Sequence, residues 1–183
     1  SIDSAIEVDA YGACCCSQPT LVLSNLSIAP GSCNTDPGKF LDGIVFLNSV
    51  SGETVDYNHI EFDEISTDCG VERHGINFVG MNYSGSGTGG DGTVGDVSSL
   101  SFTNLSLQQC GQIGTNGYDG AGIHFANQGE LTDISIKDSE PYDSYGIWNS
   151  DYGIWIEGTT NDTPNAVSRI QNFDVENVEL SHN

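Results

Sequence analysis

The stretch Leu100-Ser-Phe-Thr-Asn-Leu-Ser-Leu107 sets apolar side chains at 100 and 102, then at 105 and 107. Period-two alternation makes each half a short strand with one buried face. Between the halves the phase slips by one residue, so a chain that keeps its apolar side chains on one side turns a corner at Thr103-Asn104. Asn and Asp suit the second corner position because they tolerate left-handed backbone. The same grammar recurs in Leu21-Val-Leu-Ser-Asn-Leu-Ser-Ile28, Ile60-Glu-Phe-Asp-Glu-Ile-Ser-Thr67 and Phe173-Asp-Val-Glu-Asn-Val-Glu-Leu180, and more loosely in Ile134-Ser-Ile-Lys-Asp-Ser139. The blocks start at 21, 60, 100, 134 and 173, spacings of 39, 40, 34 and 39. Their second corner residues are Asn25, Glu64, Asn104, Asp138 and Asn177.

Each repeat holds a third apolar segment opened by Gly-Ile: Gly43-Ile-Val-Phe46, Gly75-Ile-Asn-Phe78, Gly122-Ile-His-Phe125, then either Gly146-Ile-Trp148 or Gly153-Ile-Trp-Ile156. Loops absorb the variation in repeat length and strands absorb none, while no helical periodicity competes. The pattern predicts an all-β chain: a right-handed single-stranded parallel β-helix, a solenoid of about five coils on three parallel sheets. It forms one domain over 1–183, with residues 1–19 as an N-terminal segment and 20–183 as the coils. These residues resemble the pectate-lyase-like right-handed β-helix superfamily, in which three sheets run along the axis and a two-residue corner often carries a stacked Asn. That superfamily spans lyases, hydrolases, epimerases, tailspikes, adhesins and structural solenoids, so the resemblance bears on fold and leaves function open.

The 183 residues carry 26 Asp and Glu against 4 Lys and Arg, a formal charge of −22. Nucleic acid and anionic membrane both need a basic patch, so neither is an expected partner. No apolar run is long enough to span a bilayer, and no membrane insertion is expected. The acidity fits a high-salt setting, bound divalent cations or simple colloidal solubility. Cys14, Cys15, Cys16, Cys33, Cys69 and Cys110 make an even count, which points to disulfides and to an extracellular or cell-surface location. Cys33, Cys69 and Cys110 lie 12, 9 and 10 residues after their block starts, predicting a ladder of either buried thiols or a disulfide between neighbours. The chain opens on Ser1 and shows no signal peptide, which reads as a processed or excised product.

Outward positions of the Gly-Ile strand are Val45, Asn77, His124 and Trp148 or Trp155. Lys39, Arg73, His74 and His124 put four positively chargeable groups nearby. In enzymes of the resembled superfamily this sheet and its loops form a saccharide groove. The resemblance then implies Arg73, His74 and His124 as base and cation of a uronic-acid lyase, with Trp148 and Trp155 as stacking platforms. A solvated, mixed strand face accounts for the same residues. Hydrolase signatures are absent: Asn34-Thr-Asp-Pro37 breaks at Pro37, and no Gly-His-Gly occurs. Gly89-Gly-Asp-Gly92 resembles half of a calcium-binding nonapeptide, making Asp91, Asp96 and Asp119 candidate calcium ligands, against a plain flexible loop. Of the sequons at Asn25, Asn82, Asn104 and Asn161, Asn82 and Asn161 fall in predicted loops and suit glycosylation.

Two functions follow. Five coils rise only about 24 Å, short for a groove with subsites. The terminal block leaves Phe173, Val175, Val178 and Leu180 at core-facing positions without a visible cap. That predicts a structural protein that joins copies of itself end to end into a surface filament, sheath or adhesin, and it leaves enzyme activity open. The alternative is a carbohydrate-active domain with polysaccharide as partner, either a lyase-like enzyme or a tailspike-like glycan binder.

Overall fold

The computed structural model describes residues 2–9, 20–28, 40–50, 52–67, 71, 73–79, 92–108, 120–137, 146–148, 152–157 and 167–181. Among them the regular elements are all strands, with no helix. A five-stranded parallel sheet runs in the order β1 (Ile2–Asp9), β3 (Phe40–Leu47), β5 (His74–Phe78), β8 (Ala121–Phe125) and β11 (Tyr152–Ile156). The other sheet is eight-stranded and also parallel. It contains β2 (Leu21–Ile28), β4 (Thr54–Thr67), β6 (Thr93–Thr103), β7 (Ser106–Gln108), β9 (Glu130–Lys137), β10 (Gly146–Trp148), β12 (Arg169–Glu176) and β13 (Leu180–Ser181). The chain passes back and forth between the two sheets, and β1 draws the segment 1–19 into the first of them.

The sequence blocks are the pairing register. Leu21 lies opposite Ile60, Ile60 opposite Leu100, Leu100 opposite Ile134, and Ile134 opposite Phe173. Along the five-stranded sheet Ile44, Ile76, Ile123 and Ile154 pair in turn. Like side chains therefore stack on like. Phe46, Phe78 and Phe125 form one column with centroid spacings of 4.5 and 5.2 Å, and Phe62 stacks on Phe102 at 4.4 Å. Such aromatic pairs add about 0.5–1.5 kcal/mol beyond the area they bury. Both sheets contribute to this single core.

Asn25, Glu64, Asn104 and Asn177 are left-handed, with φ of 54°, 54°, 53° and 54°, as the corner pattern requires. Asp138 lies outside the described residues. A second left-handed set, at His59, Ser99, Asp133 and Asn172, sits one residue before the block starts at 60, 100, 134 and 173, with φ of 52–56°. Adjacent strands turn together at these positions: β4, β6, β9 and β12 run through the second set of bends, and β2 and β4 through the first. β4 is one 14-residue strand across both His59 and Glu64. The expected right-handed single-stranded β-helix, a solenoid of about five coils on three parallel sheets, is therefore corrected to two parallel sheets. The two halves of each block belong to one bent sheet, because β2 and β4 run unbroken through the corner and pair on both sides of it, although the chain leaves strand at Asn104-Leu105 between β6 and β7.

Glu64 is an exposed residue held left-handed without the local chemistry of Asn. Glu64→Gly should raise stability by about 0.5–1 kcal/mol, since relief of the left-handed penalty exceeds the entropy cost of Gly. Asn104 Nδ2 donates to Asp63 Oδ1 at 2.8 Å. Asn104→Val should lose more than about 1 kcal/mol, through that bond and a β-branched left-handed residue. Urea unfolding of both variants at unchanged m-value checks the pair.

Candidate functional site

Inner strands of the eight-stranded sheet mix buried residues with half-buried or exposed ones, as β4 does. The five-stranded sheet differs: every residue of β5 and β8 is buried. Ile44, Phe46, Ile76, Phe78, Ile123 and Phe125 belong to the core, so alternation puts Val45, Asn77 and His124 on the opposite face. Pairing joins them in a row, Val45 to Asn77 to His124 to Trp155. Exposure along the row starts at 0% for Val45, 3% for Asn77 and 6% for His124, and rises to partial at Trp155. Tyr152, beside Trp155, is 45% exposed.

A fully buried carboxylate anchors this face. Asp42 accepts from Arg73 Nε at 3.0 Å and Nη2 at 2.5 Å, from the His74 backbone N–H at 3.0 Å and from Asn77 Nδ2 at 3.1 Å. Charge pairing plus several donors is what a desolvated carboxylate requires. Because Asn77 spends its Nδ2 on Asp42, its Oδ1 faces His124 Nδ1, 2.9 Å away. An amide oxygen only accepts, so His124 Nδ1 carries the hydrogen. His124 Nε2 is then buried without a well-formed hydrogen bond, 3.3 Å from Glu157 Oε1.

His74 takes the opposite tautomer. Its Nδ1 accepts the Ala121 N–H at 3.2 Å, and its ring stacks on His124 with centroids 4.2 Å apart and planes 22° apart. Burial first, then the neighbouring His124 and Arg73, holds His74 well below the ordinary histidine range. Trp155 lies over His124 at 4.6 Å, and Tyr152 lies against Trp155 at 5.1 Å.

Of the residues singled out in the sequence, Arg73, His74, His124 and Trp155 thus meet at one place. Trp148 does not join them: β10 pairs with β7 and β13 in the other sheet. Asp96 is remote from this cluster and has a backbone role. Its Oδ1 accepts the Glu130 N–H at 2.8 Å, just as Asp56 Oδ1 accepts the Asp96 N–H at 2.9 Å. Gly95 and Gly129 leave room for these carboxylates, since a Cβ at either would collide with Asp56 Oδ1 or Asp96 Oδ1. Among the described residues no three His, Cys, Asp or Glu side chains converge as metal ligands. Asp91, Asp119, Lys39, Asn82, Asn161 and all six cysteines lie outside the described residues. Phe173 and Val178 are partly buried against the core, whereas Val175 and Leu180 are exposed.

Asp42, Tyr152 and Glu157 escaped the sequence reading. Signals existed for two of them: Asp42 is an acid inside an apolar Gly-Ile strand, and Glu157 follows Trp155 at strand period. No family model matches the chain, and neither does any curated protein or solved structure.

Chemically, Arg73 is committed to Asp42, and buried His74 stays neutral. The path to solvent runs through His124 and Glu157, whose side chain is 32% exposed. A pH effect follows from His74. The unfolded chain protonates it near the ordinary value of about 6.5, and the folded chain only at lower pH. Its contribution to stability is therefore present above that value and is lost as pH falls below it, by up to about 1.4 kcal/mol per pH unit. His74→Asn keeps an acceptor for the Ala121 N–H but does not titrate. In urea unfolding at pH 7.5 and 5.0, this variant should lose less stability on acidification than the wild type.

Proposed function

We propose that this chain is a glycan-binding protein acting outside the cell or at its surface. The saccharide seats on the outer face of the five-stranded sheet at its β11 edge. The observation carrying this is the partly exposed Tyr152–Trp155 pair, backed by the buried Asp42–Asn77–His124 hydrogen-bond chain. Sugar rings present apolar C–H faces to aromatic side chains, and their hydroxyls need a few well-placed polar groups. Here the polar groups are held rigid by packing and by one another. Binding is favoured over lyase chemistry because Arg73 and His74 are engaged within the sheet. The cysteine count and acidity support the extracellular location. Screening an oligosaccharide panel by tryptophan fluorescence and calorimetry tests the assignment. Trp155→Ala should weaken binding at least about tenfold, the usual scale for a central aromatic contact. Absence of saturable binding to any saccharide would overturn it.

A second role, self-assembly, is favoured by a separate observation. Ile170, Val175 and Leu180 are 50%, 42% and 52% exposed on β12 and β13, which pair on one side only among the described residues. Val22, on β2, is 54% exposed, and β2 likewise has a single described partner. Open apolar edges of this kind template pairing between copies, and head-to-tail pairing does not close. Light scattering should show concentration-dependent growth that the double change Ile170→Lys and Val175→Lys abolishes. A monodisperse wild type at high concentration would remove this role.

A further inference from the structure

The Asp42–Asn77–His124 chain fixes what the site can offer at its outer end. Asn77 presents its oxygen to Nδ1, so Nε2 is the basic nitrogen of His124. That nitrogen is buried, lacks a hydrogen bond, and faces Glu157 Oε1 at 3.3 Å. That nitrogen and the Glu157 carboxylate are both acceptors, so a donor brought by the ligand satisfies them.

The charges facing this point can be taken strand by strand. β3 supplies Asp42, which is neutralised by Arg73 next to β5. β5 supplies His74, kept uncharged by burial, and β8 supplies His124. β11 supplies the phenol of Tyr152, and Glu157 follows it. Every cation described here is thus already paired with a carboxylate. A uronate entering beside Trp155 would have its carboxylate desolvated with no counter-charge, on a chain of net charge −22. A sugar hydroxyl instead finds an acceptor in Glu157, while its ring lies on Trp155.

We propose that Glu157 is the polar anchor of the ligand and makes this site select uncharged saccharides over uronates, with Asp42, Asn77 and His124 as its positioning residues. This rests on the glycan-binding assignment above and names its ligand class.

The test uses the full chain and calorimetry with uncharged hexasaccharides of glucose, galactose, mannose and xylose, alongside hexagalacturonate. The wild type should bind at least one uncharged hexamer about tenfold or more tighter than hexagalacturonate. Glu157→Gln removes the carboxylate that faces His124 Nε2, and with it the negative charge that repels a uronate. At pH 5.5 its discrimination should shrink to about threefold or less, chiefly through gained uronate affinity. Preference of the wild type for hexagalacturonate would overturn the inference and leave glycan binding standing. So would unchanged discrimination in Glu157→Gln. Failure of every hexamer to bind would instead remove the glycan-binding assignment itself. Positioning has its own readout in the ring ¹⁵N spectrum above neutral pH. His124 should show hydrogen on Nδ1 in the wild type and lose that bias in Asn77→Val. Hydrogen on Nε2 in the wild type would refute the proposed relay.

Discussion

A left-handed residue that turns one strand by itself breaks the ladder on either side of it. Stacked in register, such residues turn neighbouring strands together and let pairing continue on both sides of the bend. That constraint shapes the molecule: eight non-glycine residues of the described chain have φ between 52° and 56°, in two aligned sets. Each costs about 1–2 kcal/mol for an L-residue. Continuity of backbone hydrogen bonding offsets that cost, because an interrupted buried ladder leaves donors and acceptors unmet. Side-chain bonds add to it, with Asn104 donating to Asp63 and Asn172 donating to Asp133 one strand away.

The register was legible because it is written in side chains that stack on their own kind. Blocks beginning at Leu21, Ile60, Leu100, Ile134 and Phe173 pair with one another without a slip. The number of sheets was not legible. A phase break in apolar alternation shows that the chain bends, and it says nothing about whether the ladder survives the bend. Two of the eight bends left little trace: His59 and Ser99 are left-handed, yet neither is a residue that advertises it. The choice between the two Tyr-Gly-Ile-Trp segments was likewise tertiary. Gly153 comes so close to Leu180 that a Cβ would lie 2.9 Å from Cδ2, a contact between the two sheets that local sequence cannot report.

Burial on both faces of the central strands β5 and β8 changes what the candidate residues mean. Arg73, His74 and His124 looked like available cations beside a groove. Desolvation forces each to find a partner, and they find them inside the sheet: a carboxylate, a backbone amide and a side-chain amide. The carboxylate that makes this workable, Asp42, is invisible as a functional residue until its four donors are seen together.

These partners also act as a unit. Removing Arg73 would take a counter-charge from Asp42 at zero exposure, and removing Asp42 would cost Arg73 its ion pair and the Asn77 amide its acceptor. Losing one member of a buried pair costs far more than the pair contributes net. Substitutions along the chain from Asp42 to Glu157 should therefore combine non-additively, since each link sets the orientation or protonation of the next. Trp155 stands apart from that dependence. It is held by ring contacts with His124, His74 and Tyr152, not by the hydrogen-bonded relay. The face thus divides its work physically. A rigid polar relay fixes one acceptor at the edge of solvent, and an aromatic stack beside it supplies a surface that depends on shape and not on charge.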